Sequence, residues 1–267
     1  MSESEVAAFT GGDVAAFTSG AVKELRALLA RRRDRRGSGR FVVEGPVLVA
    51  EAVRAGFRID RQFVPTSAAP IDGAGDVVWV ADDVLGRLGS TQQPQPPIAI
   101  VGIPERDASS LLTDAALVVV LDQMSDPGNL GTIIRSAEAA GVDSVVLTAG
   151  SVDQYSPKVV RSSAGALFHV PVVEASLDEV AGAGLNLIGT TSHDRTDRST
   201  AVLHDADFGG RAAIVIGNEA AGLPEAWNDH VGPIRRWVTI PHHGRSESLN
   251  AAMAATLLVF EAARQRR

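Results

Sequence analysis

The chain contains no cysteine. That excludes a disulfide framework, a catalytic thiolate and any zinc site built on cysteine. No apolar run reaches membrane-spanning length, and the N-terminus lacks the basic start and apolar core of a secretory signal. No membrane partner and a cytoplasmic location are therefore expected. Neither GxGxxG nor GxxxxGKS/T occurs, which disfavours a dinucleotide-binding Rossmann enzyme or a P-loop enzyme. A general excess of positive charge is missing too, since the formal net charge is −7. Its distribution is uneven, however. Residues 20–62 hold eleven Lys/Arg against five Asp/Glu, whereas the remainder holds fourteen against twenty-seven. A basic front on an acidic body fits a nucleic-acid footprint.

What is present suits two α/β domains. The length of 267 residues and the 45% hydrophobic content are enough for two cores. Residues 1–19 are small and polar, carry VAAFT twice, and read as a flexible tail. Ala21–Arg36 is expected to be one helix ending in RRRDRR. Arg31, Arg32, Arg33, Arg35 and Arg36 are candidates for RNA phosphate contact, although a charge run is as often a solvated face. Short strands and helices then alternate, predicting a small α/β domain over residues 20–103. Residues 104–114 read as a linker. From residue 115 to 267 the pattern is a parallel α/β sheet, opening on the unbroken apolar run LVVVL, Leu117–Leu121.

Three stretches in this second domain carry chemistry, each after a predicted strand. DQMSDPGNLGTIIRSAEAAG (Asp122–Gly141) gives a tight entry into a helix, with Asp126 or Asn129 as cap and Gly141 as stop. IVIGNEAAGLP (Ile214–Pro224) places Gly217, Asn218 and Glu219 at a strand end, where parallel sheets bind ligands. WVTIPHHGRSESLNAAMA closes the set, with Ser248 expected to open a last helix that carries Leu249, Met253, Leu257 and Phe260 at near-helical spacing. Singly, each has a bland reading: a capped helix, a surface arginine at Arg135, a helix-start carboxylate at Glu219. His242–His243 lacks companion ligands at metal spacing, so no metal site is expected. Asp122 and Asp126 read as capping residues before magnesium ligands. Ser163 is not set in a nucleophile elbow. Lys158 and Arg161 are further candidates for RNA phosphate.

Taken together and in this order, PGNLGTIIRSAEAAG, IVIGNEAAGLP and IPHHGRSESLNAAMA resemble the three motifs of the SpoU (TrmH-type) RNA 2′-O-ribose methyltransferases of the SPOUT superfamily. YSPKVVRSSAGALFHVPV, Tyr155–Val172, resembles the family's segment between the first two motifs. The N-terminal part resembles the L30e-like RNA-binding domain that precedes the catalytic domain in many members. There FVVEGPVLVA and STQQPQPPIAIV match, with Pro96 or Pro97 where many members have glycine.

The resemblance implies a deep C-terminal trefoil knot, a homodimer through the C-terminal domain, and S-adenosylmethionine as cofactor, leaving as S-adenosylhomocysteine. It implies cofactor contacts at Gly217, Ile240 and Leu249, with Thr190, Thr191, Asn218, Ser248 and Asn250 lining the pocket. It assigns the active site to Asn129, Arg135 and Glu219, with Arg135 removing the 2′-OH proton. A guanidinium is essentially always protonated in proteins, so the alternative role for Arg135 is to hold the phosphate and polarise the hydroxyl, with the proton leaving by another route. The expected substrate is ribosomal RNA, 23S first, with transfer RNA as the alternative. A non-catalytic RNA-binding or ribosome-assembly protein of the same fold is the rival from another class.

Overall fold

The computed structural model describes residues 13–88, 94–192, 200–224, 227, 232–241, 244 and 248–267. The chain divides into two compact units, Met1–Glu105 with Tyr155–Phe168, and Arg106–Gln154 with His169–Arg267.

The first unit opens with helices α1 (Gly20–Ala30) and α2 (Arg32–Ser38), then strand β1 (Arg40–Glu44) and helix α3 (Pro46–Arg54). Strands β2 (Ile59–Pro65) and β3 (Asp76–Val80), helix α4 (Asp82–Gly86) and strand β4 (Ile98–Gly102) complete its main part. The sheet order is β1-β4-β2-β3, with only the β2–β3 pair parallel. Both faces are buried, as the period of two along β1 requires. Val42, Phe63, Ile98 and Ile100 pack with Leu25 and Leu28 of α1 on one face. Phe41 points the other way and meets Phe57 at 6.3 Å and Tyr155 at 4.8 Å between ring centroids.

Two expectations change here. Residues 1–12 lie outside the described residues, but 13–19 are not a tail. The Ala15 amide donates to the Trp79 carbonyl at 2.8 Å, and the Ser19 hydroxyl caps α1 through the Val22 amide. The expected single helix over Ala21–Arg36 is broken at Arg31, whose backbone is extended. The break lets Arg35 turn inward. It is buried, and its guanidinium donates to the Leu28 carbonyl at 2.6 Å, among the last carbonyls of α1 that the helix itself leaves unpaired.

The second unit runs α5 (Ala108–Asp114), β5 (Leu117–Leu121), α6 (Pro127–Ala140) and β6 (Ser144–Leu147). Helix α7 (Pro157–Ser162) follows in the chain but belongs to the first unit, where it packs on β1. The second unit resumes with β7 (Val172–Glu174), α8 (Leu177–Gly182), β8 (Asn186–Thr191), β9 (Thr200–Val202), β10 (Ala212–Ile216), β11 (Arg236–Thr239) and α9 (Ala251–Gln265). The residues read as a 104–114 linker therefore contain α5. Its Leu112 is buried in the core of this unit, and Asp107 caps it through the amides of Ser109 and Ser110.

The fold class is α/β, with a seven-stranded sheet of order β7-β6-β5-β10-β8-β11-β9 in which every pair is parallel. Strands β5 and β10 are fully buried, which is why both read as continuous apolar runs. Gly189 of β8 is glycine because a Cβ there would lie 2.8 Å from the Trp237 ring and 2.9 Å from Ile234. Arg211 ties helix ends to the sheet. Its guanidinium donates to the carbonyls of Leu112, Thr113, Ala115 and Ala183 at 2.7–3.0 Å.

The last helix departs from expectation at its start. Asn250, not Ser248, is the cap, accepting from the amides of Ala252 and Met253. Its buried face is Ala252, Ala255, Leu258, Val259 and Ala262, whereas Met253, Leu257 and Phe260 are 64%, 45% and 47% exposed. The apolar spacing was real but continues around the helix, so periodicity alone could not say which stripe faces the core.

Candidate active site

Three strand ends build the site. After β5, the Asp122 amide still pairs with the Ile216 carbonyl at 2.8 Å, holding the β5 and β10 ends side by side. The Thr148 hydroxyl donates to Asp122 Oδ1 at 2.7 Å and accepts from the Gln123 amide at 3.0 Å. Gln123 adopts a left-handed conformation, φ 50°, and its carbonyl accepts from Asn218 Nδ2 at 2.9 Å. Asp126 then caps α6 through the Asn129 amide at 2.8 Å, with Pro127 in the first turn and Gly141 ending the helix left-handed.

After β10 the chain folds back on itself. Asn218 Oδ1 accepts from the amides of Ala220 and Ala221, and the Gly222 amide donates to the Asn218 carbonyl at 2.9 Å. Gly217 permits this closure, because a Cβ there would lie 2.4 Å from the Gly222 carbonyl carbon. At the start of α9, Asn250 does more than cap. Its Nδ2 donates to Asn129 Oδ1 at 3.0 Å. The pair is extended along the helices by the hydroxyls of Ser136 and Thr256, 2.7 Å apart.

Glu219 joins the three. Oε1 accepts from Asn129 Nδ2 at 3.1 Å and the Asp126 amide at 3.2 Å. Oε2 accepts from the Ser125 hydroxyl at 2.9 Å and the Ser125 amide at 3.3 Å. The carboxylate thus sits at the N-terminal end of α6, where the helix dipole favours negative charge. Burial pushes its pKa up, but the hydrogen bonds from Asn129, its own backbone, Ser125 and Asp126 outweigh burial and hold it at about 2. A carboxylate so stabilised is an anchor and a poor proton acceptor near neutral pH.

Beside this junction lies a cavity of about 700 Å³. Thr190, Thr191, Gly217 and Asn218 line it from the β8 and β10 ends, and Ile240, Ser248, Leu249 and Asn250 from the third stretch. All eight residues expected to hold the cofactor therefore meet in one place, with Glu219 on the rim. The volume lies within the ~300–1,000 Å³ of small-molecule sites. Hydroxyls, amides, loop backbone and the apolar Ile216 and Leu258 suit an adenosine with a polar tail, and Glu219 is the one charged residue among these lining groups. The residues present fit S-adenosylmethionine.

Arg135 lies on α6, exposed, with no hydrogen bond or ion pair among the described residues. Asn129 and Glu219 are brought together; Arg135 is one to two turns further along the same helix. The RNA-contact candidates fall in the first unit. Arg31, Arg33 and Arg36 are exposed and Arg32 is half-buried, with Asp34 3.9 Å from Arg31 and 3.4 Å from Arg33. Arg35 is the correction in this set, since its guanidinium is committed to backbone carbonyls beneath the surface. Lys158 is exposed and Arg161 half-buried on α7. His242–His243 lies outside the described residues. Ser163 is fully buried and donates to the Val160 carbonyl at 2.9 Å, so it is structural. Among the described residues no three His, Cys, Asp or Glu could hold a metal. The sequence reading missed Ser125, Gln123 and Thr148. Only the hydroxyl next to the capping Asp126 hinted at the first, and nothing local marked the others.

Residues 116–260 match the SpoU rRNA methylase family, and residues 20–99 match the MRM3-like substrate-binding domain. The chain belongs to the SpoU rRNA methylase family. Among its relatives is the 23S rRNA (uridine(2479)-2′-O)-methyltransferase of Streptomyces viridochromogenes, 34% identical over 91% of this chain and 89% of that one. The 23S rRNA (guanosine(2553)-2′-O)-methyltransferase RlmP of Bacillus subtilis is 31% identical over 87% and 92%. The crystal structure of the S. viridochromogenes SpoU methyltransferase AviRb in complex with AdoMet superposes with a TM-score of 0.81 at 32% identity, covering 93% of this chain and 98% of that one. The substrate-binding match lies in the first unit, and the SpoU match covers most of the second, cavity-bearing unit.

Proposed function

We propose that this SpoU protein transfers a methyl group from S-adenosylmethionine to a ribose 2′-OH of 23S ribosomal RNA. The observation that carries the reading is the convergence of three strand ends on one cavity, together with the Asn250–Asn129–Glu219 hydrogen bonds at the start of the helix that carries Arg135. Bound in the cavity, the cofactor supplies an electrophilic methyl group on a sulfonium. Thr190, Thr191, Asn218 and Ser248 hold its polar atoms, and Gly217, Ile240 and Leu249 form the walls. Asn129 and Glu219 fix the N-terminus of α6. Arg135 reaches from that helix to an RNA phosphate and polarises the 2′-OH, so that positioning supplies most of the rate. Glu219 stays ionised and takes no proton; as the ribose oxygen bonds the methyl carbon and the methyl–sulfur bond breaks, the hydroxyl proton passes to solvent water and S-adenosylhomocysteine leaves. The exposed arginines of the first unit, together with Lys158 and Arg161, track the RNA backbone.

The same reading includes a homodimer through α9, whose exposed Met253, Leu257 and Phe260 form an apolar stripe. No helix of the described residues is long and apolar enough to cross a membrane. The 23S rRNA reading carries with it a cytoplasmic site of action. The test is transfer of labelled methyl from S-adenosylmethionine to 23S rRNA and to total transfer RNA. Label in a 2′-O-methylnucleoside of 23S rRNA is expected. Label in transfer RNA alone replaces the substrate, and cofactor binding without transfer to either RNA leaves the non-catalytic rival.

A further inference from the structure

Glu219 stands between the loop that walls the cofactor cavity and the helix that carries Asn129 and Arg135. Two of its four donors come from one residue that the three motifs do not single out. Ser125 presents both its hydroxyl, 2.9 Å, and its amide, 3.3 Å, to Oε2. The other oxygen faces the Asp126 amide and Asn129 Nδ2. With Oε2 held by Ser125, the carboxylate is oriented so that Oε1 meets Asn129, which in turn receives Asn250.

We propose that Ser125 is a positioning residue for methyl transfer: by clasping Glu219 Oε2 it sets the cofactor loop against the N-terminus of α6 and so aims Arg135 at the ribose. It does not line the cavity, and acts through Glu219. The proposal rests on the methyltransferase reading. Losing one charge-assisted hydrogen bond from the clasp loosens the helix without emptying the cavity, because the lining residues are untouched.

The experiment compares wild type, Ser125→Ala, Ser125→Thr, Glu219→Ala and the Ser125→Ala/Glu219→Ala double variant. Steady-state methyl transfer to 23S rRNA is measured, with cofactor affinity by calorimetry. Ser125→Ala is expected to lower kcat about tenfold, the loss of one hydrogen bond to a charged group, with the cofactor Kd moving less than about threefold. Ser125→Thr keeps the hydroxyl and recovers most of kcat. In the Glu219→Ala background the Ser125→Ala change adds nothing, because the partner is gone. A near-normal kcat in Ser125→Ala, or the same loss with and without Glu219, overturns the proposal. A readout independent of activity runs alongside, the ¹³C titration of the Glu219 carboxyl. Its midpoint is expected to rise in Ser125→Ala and to stay put in Ser125→Thr; an unmoved midpoint in Ser125→Ala overturns the clasp. If wild type transfers no methyl group to any RNA, the functional reading fails while the titration still decides the clasp.

Discussion

Replacing Glu219 with Gln tests the junction with almost no change of shape. The carboxylate accepts four donors, two on each oxygen. A Gln amide has one acceptor oxygen, so its NH₂ must face two donors whichever way it turns. The pKa falls from 4.5 to about 2. Taken whole, that fall is worth roughly 3 kcal/mol at about 1.36 kcal/mol per unit. The carboxylate is exposed, however, and solvent screening reduces the contribution to about 1 kcal/mol. The sign follows from a depressed folded-state pKa. Stability from Glu219 is fully present above the unfolded value of 4.5 and is lost as pH falls toward about 2. Urea unfolding of both proteins is therefore compared at several pH values. At pH ~7 the variant is expected to be less stable by about 1 kcal/mol, a gap that closes progressively below about pH 4.5. Equal stability at neutral pH, or a gap unchanged at about pH 3, would refute the anchor.

Other expectations follow from the same geometry. Arg135→Ala abolishes methyl transfer while calorimetry finds cofactor binding within a few-fold of wild type, because Arg135 is exposed and does not line the cavity. Gly217→Ala drives a methyl group to 2.4 Å from Gly222 backbone; cofactor binding is lost, and thermal unfolding reports a cost of about 1–3 kcal/mol. Arg211→Met strips the donors from four carbonyls at the ends of α5 and α8. Urea unfolding is expected to register about 2–4 kcal/mol of destabilisation, the range for charged hydrogen bonds partly open to solvent. Phe260→Glu places a charge in the exposed stripe of α9; on the proposed dimer, sedimentation at micromolar concentration is expected to give a dimer for wild type and a monomer for the variant.

Local chemistry made much of this legible beforehand. LVVVL and AAIVI announce buried parallel strands because both faces of those strands are covered. Asp126-Pro127 and Gly141 mark the ends of α6 by cap and left-handed stop. Six of the eight cavity residues came from the ordered motifs and Thr190 and Thr191 from the wider family resemblance, since no single motif separates a ligand site from a capped helix. Other features depend on which surfaces meet, and one strand's pattern does not say where it pairs. Strand β10 sits between β5 and β8, and β11 beyond β8, an order that no run of residues encodes. Tyr155 and Phe168 pack against Phe41 and Phe57 although the chain before Tyr155 and after Phe168 belongs to the other unit. Arg35 looked like its neighbours in RRRDRR until the break at Arg31 turned it inward. The buried face of α9 could not be read from the sequence because both of its stripes are apolar, and only packing chose the alanines.

The most direct measurement of the central claim is a map of ribose 2′-O-methylation in total RNA from cells with and without the gene, and with the gene carrying Arg135→Ala. One or more 2′-O-methyl marks in 23S rRNA are predicted to vanish on deletion, return with the wild-type gene, and stay absent with the arginine variant. An identical methylation map in all of these cells, or full restoration by the variant, would contradict it.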